Sequence, residues 1–369
     1  MHAPNYQQLS YKLWTLSYNR HCLELGLGGA IATLLPSVSA FTQLRSCSGR
    51  CTRRRSTRSV LLAAATRATD VELTASSATA KASELDWSFI DAVYLVTCPN
   101  ADLGSVRLEK TKSILNNLGL IGRLDIKEFG TDDEDRIRGC YTSHISVMKD
   151  AVGKIEQEKS DQKQQLWQQL MPFIGDSNDS SIYCQTRMIL VLEDNLDTSG
   201  SFAQSTLDAL FAFTSMPDIS WDVIHLSYIP YVPNLLVSKT SDSSIVKLST
   251  GVGSALGTTA YIINENGMKS LIREDEKRGY YAAIPNVMAL KFPDSRYAPY
   301  PVPFLRAAKV PSLVNPQLDD LRSILFQPGV VSSVQLLLTQ TGLSSNNLLF
   351  ATIVLCWMCL ESLGKLHSM

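Results

Sequence analysis

The sequence lacks several patterns that would place it in a well-known class of protein. It has neither the GxGxxG loop of dinucleotide-binding proteins nor the GxxxxGK[ST] loop of nucleoside triphosphatases. Cys98, Cys140 and Cys184, the cysteines of the central region, are 42 and 44 residues apart. An odd number of widely spaced cysteines predicts neither a disulfide framework nor a zinc site built from cysteine pairs.

Acidic residues are missing from a long stretch near the N-terminus, since none stands between Leu25 and Thr69. Residues 1–69 hold nine basic residues and one acidic residue, which leaves 25 basic and 34 acidic residues over 70–369 and a net charge of −9 there. An acidic main part is poorly suited to the phosphate backbone of nucleic acid, so no nucleic-acid partner is expected.

The basic N-terminal segment has the composition of a targeting leader. An apolar stretch at 25–35 precedes small residues at 38–40, as in a secretory signal, and the Arg- and Ser-rich segment 41–69 is typical of a transit peptide. The combination resembles a two-part plastid leader; a disordered basic tail or a misassigned start is the alternative. We predict a leader and linker over residues 1–85, and a location in the secretory pathway (endoplasmic reticulum or Golgi) or in a plastid.

Short apolar runs alternate with amphipathic stretches in the rest of the chain, which predicts an α/β domain. Strands are predicted at 91–97, 124–129, 188–192, 222–226 and 255–263, and helices at 103–118, 139–152, 206–213 and 264–273. The run at 188–192 is apolar throughout, as expected of a central strand that is covered on both faces. We therefore predict one domain with a mainly parallel central sheet over 86–310. A Gln-rich insertion at 154–182 is expected to form an exposed helix and a flexible loop.

The last part of the chain, residues 311–369, is predicted to be a helical apolar extension. Its run at 348–360 is uncharged but 13 residues long, whereas a bilayer span needs about 20 residues. The run therefore predicts either a helix packed on the domain or a segment that associates with a membrane surface.

A cluster of acidic residues follows the strand predicted at 188–192, and ligands of open α/β sheets collect at the carboxyl ends of strands. Glu193, Asp194, Asn195 and Asp197 make an oxygen-rich group suited to a divalent cation, Mn²⁺ or Mg²⁺. Such an ion can bridge a diphosphate and neutralise a leaving group. We predict Asp194, Asn195 and Asp197 as metal ligands, with a solvated turn or a helix cap as the alternative.

Four segments, in order, resemble glycosyltransferase family 25, which includes lipopolysaccharide and procollagen galactosyltransferases. They are Gly-Cys-x-x-Ser-His at 139–144, Ile-Leu-Val-Leu-Glu-Asp-Asn at 189–195, Trp-Asp-x-Ile-x-Leu at 221–226 and Gly-Thr-Thr-Ala-Tyr-Ile-Ile-Asn-Glu-Asn-Gly-Met at 257–268. The resemblance covers about residues 91–303. It implies a nucleotide-sugar-binding fold of the GT-A type. It also implies transfer of a hexose, typically galactose, from a UDP-sugar to a glycan or protein acceptor, with inversion.

The resemblance also implies roles for individual residues. Inversion needs a base that takes the proton of the acceptor hydroxyl, and a metal or cationic clamp that stabilises the departing UDP. The predicted catalytic residues are Asp194, Asp197 and His144; the predicted donor contacts are Thr97, Arg107, Ser143 and Glu193; the predicted acceptor contacts are Thr258, Thr259 and Tyr261. For His144 and the last three residues, packing in the core is the alternative.

Two positions depart from the family pattern. Asn195 stands at the last acidic position of the family's Glu-Asp-Asp segment, and Asn286 stands where its Pro-x-Asp segment has an aspartate. Asp197 compensates for the first change if its carboxylate faces the same ion. The second hypothesis is therefore a protein of this fold that has lost turnover and serves as a sugar- or nucleotide-binding module or a scaffold.

Overall fold

A computed structural model describes residues 85–101, 103–170, 186–200, 202–242, 244–250, 256–307 and 319–367. The predicted leader, apart from Leu85, lies outside these residues, as does the part of the predicted insertion at 171–182.

The described residues contain ten strands: β1 (Ala92–Thr97), β2 (Leu124–Glu128), β3 (Met188–Glu193), β4 (Leu196–Thr198), β5 (Val223–His225), β6 (Leu236–Lys239), β7 (Ile245–Ser249), β8 (Ala260–Asn264), β9 (Arg296–Pro299) and β10 (Phe304–Arg306). The helices are α1 (Gly104–Asn117), α2 (Arg136–Leu170), α3 (Gln204–Thr214), α4 (Glu265–Arg278), α5 (Ile284–Lys291), α6 (Asp319–Leu325), α7 (Pro328–Thr341) and α8 (Ser345–His367).

Eight strands form one sheet in the order β2-β1-β3-β8-β5-β9-β7-β6, and β4 pairs with β10 in a separate ribbon. Helices cover both faces of the sheet, and the side chains of β3 show why. Ile189 and Val191 pack in a core with residues of α2, α4 and α5, whereas Leu190 and Leu192 pack in a core with residues of α1 and α3. Successive side chains of a strand point to opposite faces, so an uninterrupted apolar run needs cover on both sides. The predicted α/β class is confirmed.

The sheet is mixed rather than uniformly parallel. Strand β1 is parallel to β2 and β3, but β8 is antiparallel to both of its neighbours, β3 and β5. Leu192 near the end of β3 is therefore opposite Ala260 at the start of β8. This direction brings the residues that precede β8 to the edge of the sheet where β3 ends.

Helix α2 is longer than the sequence predicted, because the helix predicted at 139–152 continues into the first part of the predicted insertion. Ile155 is buried in the core, and the Lys159 ammonium lies 2.6 Å from a carboxylate oxygen of Glu265 on α4. These contacts attach the extended helix to the domain.

The C-terminal extension contains helices α7 and α8, and α8 includes the apolar run at 348–360. Val331 and Leu338 of α7 pack against the outer strands β6 and β7, whereas Phe350 and Trp357 of α8 are 69% and 68% exposed. Among the helices that the structure describes, none is both long and apolar enough to cross a membrane.

His225 on β5 makes the stability of the fold depend on pH. Both of its ring nitrogens are buried and have no hydrogen-bond partner within the described part of the chain. Burial, together with the charge of Arg296, lowers the pKa of His225 from 6.5 to about 3. Between these two values the unfolded chain binds a proton that the folded protein excludes, so stability is lost as the pH falls from about 6.5.

We expect the free energy of unfolding to fall by up to about 1.4 kcal/mol per pH unit between about pH 6 and pH 5 through this residue. His225→Leu, which fills the site without a titratable group, should make that slope shallower by the same amount. Urea unfolding at a series of pH values measures the slope. Equal slopes for the two proteins would contradict the assignment.

Candidate functional site

A cleft of about 240 Å³ opens at the edge of the sheet where β1 and β3 end. Cys140 and His144 reach it from α2, and Glu193, Asp194 and Asn195 reach it from the end of β3. The residues directly after β5 and directly before β8 complete the wall, at 227–229 and 256–259. All four segments that resemble family 25, or the residues next to them, therefore meet at one cleft.

The Asp194 carboxylate is held by an ion pair that is almost completely buried. Its Oδ1 is bonded to the guanidinium of Arg107 on α1, and its Oδ2 accepts a hydrogen bond of 2.8 Å from the Thr97 hydroxyl at the end of β1. The hydroxyl of Thr111 donates to the Asp194 carbonyl oxygen at 3.0 Å. Burial raises the pKa of Asp194, and the opposing effects of Arg107 and Thr97 do not fully offset it. Both carboxylate oxygens are thus engaged within the protein.

Gly104 allows α1 to begin close enough to the sheet for this ion pair to form. A Cβ atom at this position would collide with the carbonyl oxygen of Cys98 and would lie 2.8 Å from that of Pro99. Any other residue would push the first turn of α1 away from the end of β1.

Asp197 lies apart from the cleft, on β4 and close to the surface. Its carboxylate accepts from the Lys110 ammonium at 2.9 Å, and the two side chains are 42% and 47% exposed. Asp197 is not among the described residues that line the cleft. In this arrangement the Asp197 carboxylate does not face the same side as that of Asp194, so Asp197 does not compensate for the acid that Asn195 replaces.

Glu193, at the end of β3, is a second acid that lines the cleft. Its Oε1 accepts a hydrogen bond of 2.5 Å from Thr258 and lies 3.3 Å from Nε2 of His144, and its Oε2 accepts from the Asn195 amide at 2.9 Å. Burial alone would raise the pKa of Glu193, but His144 and Thr258 outweigh that effect and lower it to about 2. The side chain is a carboxylate at neutral pH.

His144 is completely buried and is fixed from two sides. Its Nδ1 lies 2.9 Å from the hydroxyl of Tyr261 on β8, and its Nε2 faces Glu193. Burial, then the charge of Glu193, raises the pKa of the Tyr261 hydroxyl well above its ordinary value, so the phenol is neutral. Tyr261 thus affects the cleft indirectly, because its hydroxyl fixes the ring of His144.

A candidate metal-binding group lies on this side of the cleft. Cys140, His144 and Glu193 each offer one ligand atom, and these atoms lie within 4.8 Å of one another. No other three His, Cys, Asp or Glu side chains of the described residues form such a group. Glu193, Asp194 and Asp197 therefore do not form a metal-binding group with one another.

The two described thiols of the cleft, Cys98 and Cys140, are not activated as nucleophiles. Burial and the nearby carboxylates raise the pKa of both. Thiols of this kind are protonated at neutral pH, and the thiolate is the reactive form.

Most of the site residues predicted from the sequence share this cleft. Its lining includes His144 and all the predicted donor contacts, namely Thr97, Arg107, Ser143 and Glu193. Asp194, Asn195, Thr258 and Thr259 also line it, and Tyr261 contacts His144. Cys140 as a candidate metal ligand, and Arg136 and Arg306 as lining residues of the cleft, were not predicted from the sequence. A signal for Cys140 was present, since a cysteine and a histidine four residues apart share one face of a helix.

The buried and the exposed ion pair of α1 should differ strongly in their effect on stability. Arg107→Leu leaves the buried Asp194 carboxylate without its cation, so we expect a loss of about 3–5 kcal/mol in the free energy of unfolding. Lys110→Leu breaks the exposed pair with Asp197 and is the matched control, with an expected loss below about 1 kcal/mol. Urea unfolding of the two variants measures both values. A similar loss for both would show that Asp194 does not depend on Arg107.

No family model fits the chain, and no curated protein is significantly similar to it. The function is therefore argued from the residues and the geometry of the cleft.

Proposed function

We propose that the protein is a glycosyltransferase that transfers a hexose, typically galactose, from a UDP-sugar to a glycan or glycoprotein acceptor, with inversion. One observation carries the proposal. Four segments that resemble family 25, or the residues next to them, converge on a single cleft at the carboxyl edge of the sheet. The α/β architecture with a mixed sheet is compatible with the GT-A type that the resemblance implies.

The donor diphosphate is proposed to bind to the arginine side chains of the cleft. Arg107, Arg136 and Arg306 line it. Arg107 uses one nitrogen on Asp194, while its Nε and Nη1 are buried and have no hydrogen-bond partner among the described residues. Guanidinium groups bind phosphate oxygens through several parallel hydrogen bonds, and such bonds to charged groups are strong.

The resemblance implies a bound Mn²⁺ or Mg²⁺ ion, but the predicted ligands do not fit one. Asp194 and Asp197 are each already paired with a cation, Asp194 with the buried guanidinium of Arg107 and Asp197 with Lys110 outside the cleft lining. The amide nitrogen of Asn195 donates to Glu193, and its buried Oδ1, which has no hydrogen-bond partner among the described residues, would be a single neutral ligand. The arginines are therefore proposed to stabilise the charge of the departing UDP, and no step of the reaction is assigned to an ion at Asp194.

Glu193 is proposed as the base of the transfer. The acceptor oxygen forms a bond to the anomeric carbon while the bond from that carbon to the UDP oxygen breaks, and the hydroxyl proton moves to the Glu193 carboxylate. Glu193 is an ionised acid that lines the cleft, and Thr258 and Asn195 fix its orientation, whereas Asp132, which also lines the cleft, is paired with Arg138. A base must be deprotonated and lie within hydrogen-bond reach of the proton that it takes.

A second candidate function is a nucleotide- or sugar-binding module without turnover. The observation in its favour is the loss of acidic charge around the cleft. Arg107 neutralises Asp194, and Asn195 and Asn286 stand where the family has acids.

The cellular setting is part of the proposal. The composition of the predicted leader favours the secretory pathway or a plastid. Membrane association through residues 348–360 would use the apolar side chains that α8 exposes, such as Phe350 and Trp357.

Glu193→Gln should lower kcat by about 10²–10⁴-fold, because the base is lost while the amide keeps the shape of the side chain. UDP affinity should change little, since the diphosphate is proposed to bind to arginines. The measurement is UDP release from UDP-galactose with free glycans as acceptors, together with calorimetric titration of UDP.

The matched control is Glu109→Gln, an exposed acid on α1 outside the cleft lining, which should keep the full rate. Equal rates for Glu193→Gln and the unaltered protein would contradict the assignment of Glu193 as the base. UDP binding without any UDP release by the unaltered protein would favour the binding module.

A further inference from the structure

We propose that Cys140, His144 and Glu193 form a binding site for a zinc-class transition-metal ion at the wall of the cleft. This site differs from the acidic cluster that the sequence pointed out, both in its residues and in the chemistry of its donors. It does not rest on the proposed transfer reaction.

The three ligands are brought together by the end of one helix and the end of one strand. Cys140 and His144 are four residues apart on α2, so their side chains lie on the same face of the helix. Glu193 is the last residue of β3. The Nε2 atom of His144 and the Oε1 atom of Glu193 are 3.3 Å apart. Two ligands about 2.0–2.1 Å from a tetrahedral zinc ion are about 3.3 Å apart as well.

The surrounding residues orient the ligands as the second shell of a metal site does. Tyr261 lies 2.9 Å from Nδ1 of His144, which leaves Nε2 as the nitrogen that can bind an ion. That nitrogen is fully buried and has no hydrogen-bond partner in the described part of the molecule. Thr258 and Asn195 hold the Glu193 carboxylate. Metal-binding imidazoles nearly always have their second nitrogen held in this way, and ligating carboxylates are hydrogen-bonded.

The donor set selects the type of ion. One sulfur, one imidazole nitrogen and one carboxylate oxygen suit Zn²⁺, whereas Mg²⁺ and Mn²⁺ prefer oxygen ligands. All three residues line the cleft. An ion with three protein ligands would therefore keep its fourth coordination position open towards the cleft, as sites that bind a water molecule or a ligand do.

Metal binding and proton acceptance are alternative states of Glu193. A carboxylate oxygen that is bound to an ion cannot take a proton from an acceptor hydroxyl. Zinc binding would also replace the contact between His144 and Glu193 by two bonds to the ion, and it would release the proton of the Cys140 thiol to solvent, because the thiolate is the form that binds a metal.

The test is calorimetric titration of the full chain with Zn²⁺ in the absence of nucleotide, followed by Co²⁺ as a spectroscopic probe. Cys140→Ser removes the sulfur with little change in volume. We expect it to abolish one binding site or to weaken it by at least about a hundredfold, which exceeds the usual effect of losing a second-shell contact. The absorption band that arises from thiolate bound to Co²⁺ should be lost in the same variant.

Cys98→Ser is the matched control, because Cys98 lines the same cleft but does not belong to the group of three. It should bind Zn²⁺ like the unaltered protein. Tyr261→Phe should weaken binding about tenfold by releasing Nδ1 of His144. Circular dichroism checks that each variant is folded.

Two results would overturn the proposal: unchanged Zn²⁺ stoichiometry and affinity in Cys140→Ser, or no Zn²⁺ binding by the folded, unaltered protein. Because no nucleotide is present, either result leaves UDP binding and transfer to be judged by their own measurements. A failure of UDP binding would likewise leave the metal site intact.

Discussion

The buried ion pair between Arg107 and Asp194 is the interaction on which the rest of the site depends. It joins α1 to the end of β3, and the hydroxyls of Thr97 and Thr111 attach the same acid to β1 and again to α1. A buried carboxylate destabilises the folded state unless it is paired and hydrogen-bonded, so Asp194 needs these partners together. The pair positions the floor of the cleft and, at the same time, commits Asp194 to a structural role.

The two neighbouring acids, Asp197 and Glu193, have different surroundings. Asp197 turns to the surface and to Lys110, while Glu193 keeps its charge and faces the cleft. His144, held by Tyr261, stands beside Glu193 and gives this carboxylate its low pKa. One acidic side chain is thus available both for proton acceptance and for a metal ion that Cys140 and His144 would share.

Much of the fold could be predicted because its central elements have strong local signals. The apolar run at 188–192 and the run at 91–97 are central strands, and helical spacing indicated α1, α3 and α4. Strands β6, β7 and β9 were missed, since each is short and none is an uninterrupted apolar run.

The location of the site was predictable, but the roles of its acids were not. Strand ends and family-like segments pointed to this edge of the sheet. Which acid meets a cation depends on residues far apart in sequence, since Arg107 and Asp194 are 87 positions apart. The same holds for Cys140, whose thiol gains a metal-binding context only where α2 packs beside the end of β3.

The most direct test of this account is calorimetric titration of the full chain with UDP, once with Mn²⁺ and once with a chelator. The account predicts binding of similar affinity in both, because arginines hold the diphosphate and Asp194 is committed to Arg107. Binding that requires Mn²⁺ would indicate that the acidic cluster binds the ion, and it would contradict the structural role of Asp194 as the partner of Arg107. No binding to the folded protein would contradict the assignment of the cleft as a nucleotide-sugar site.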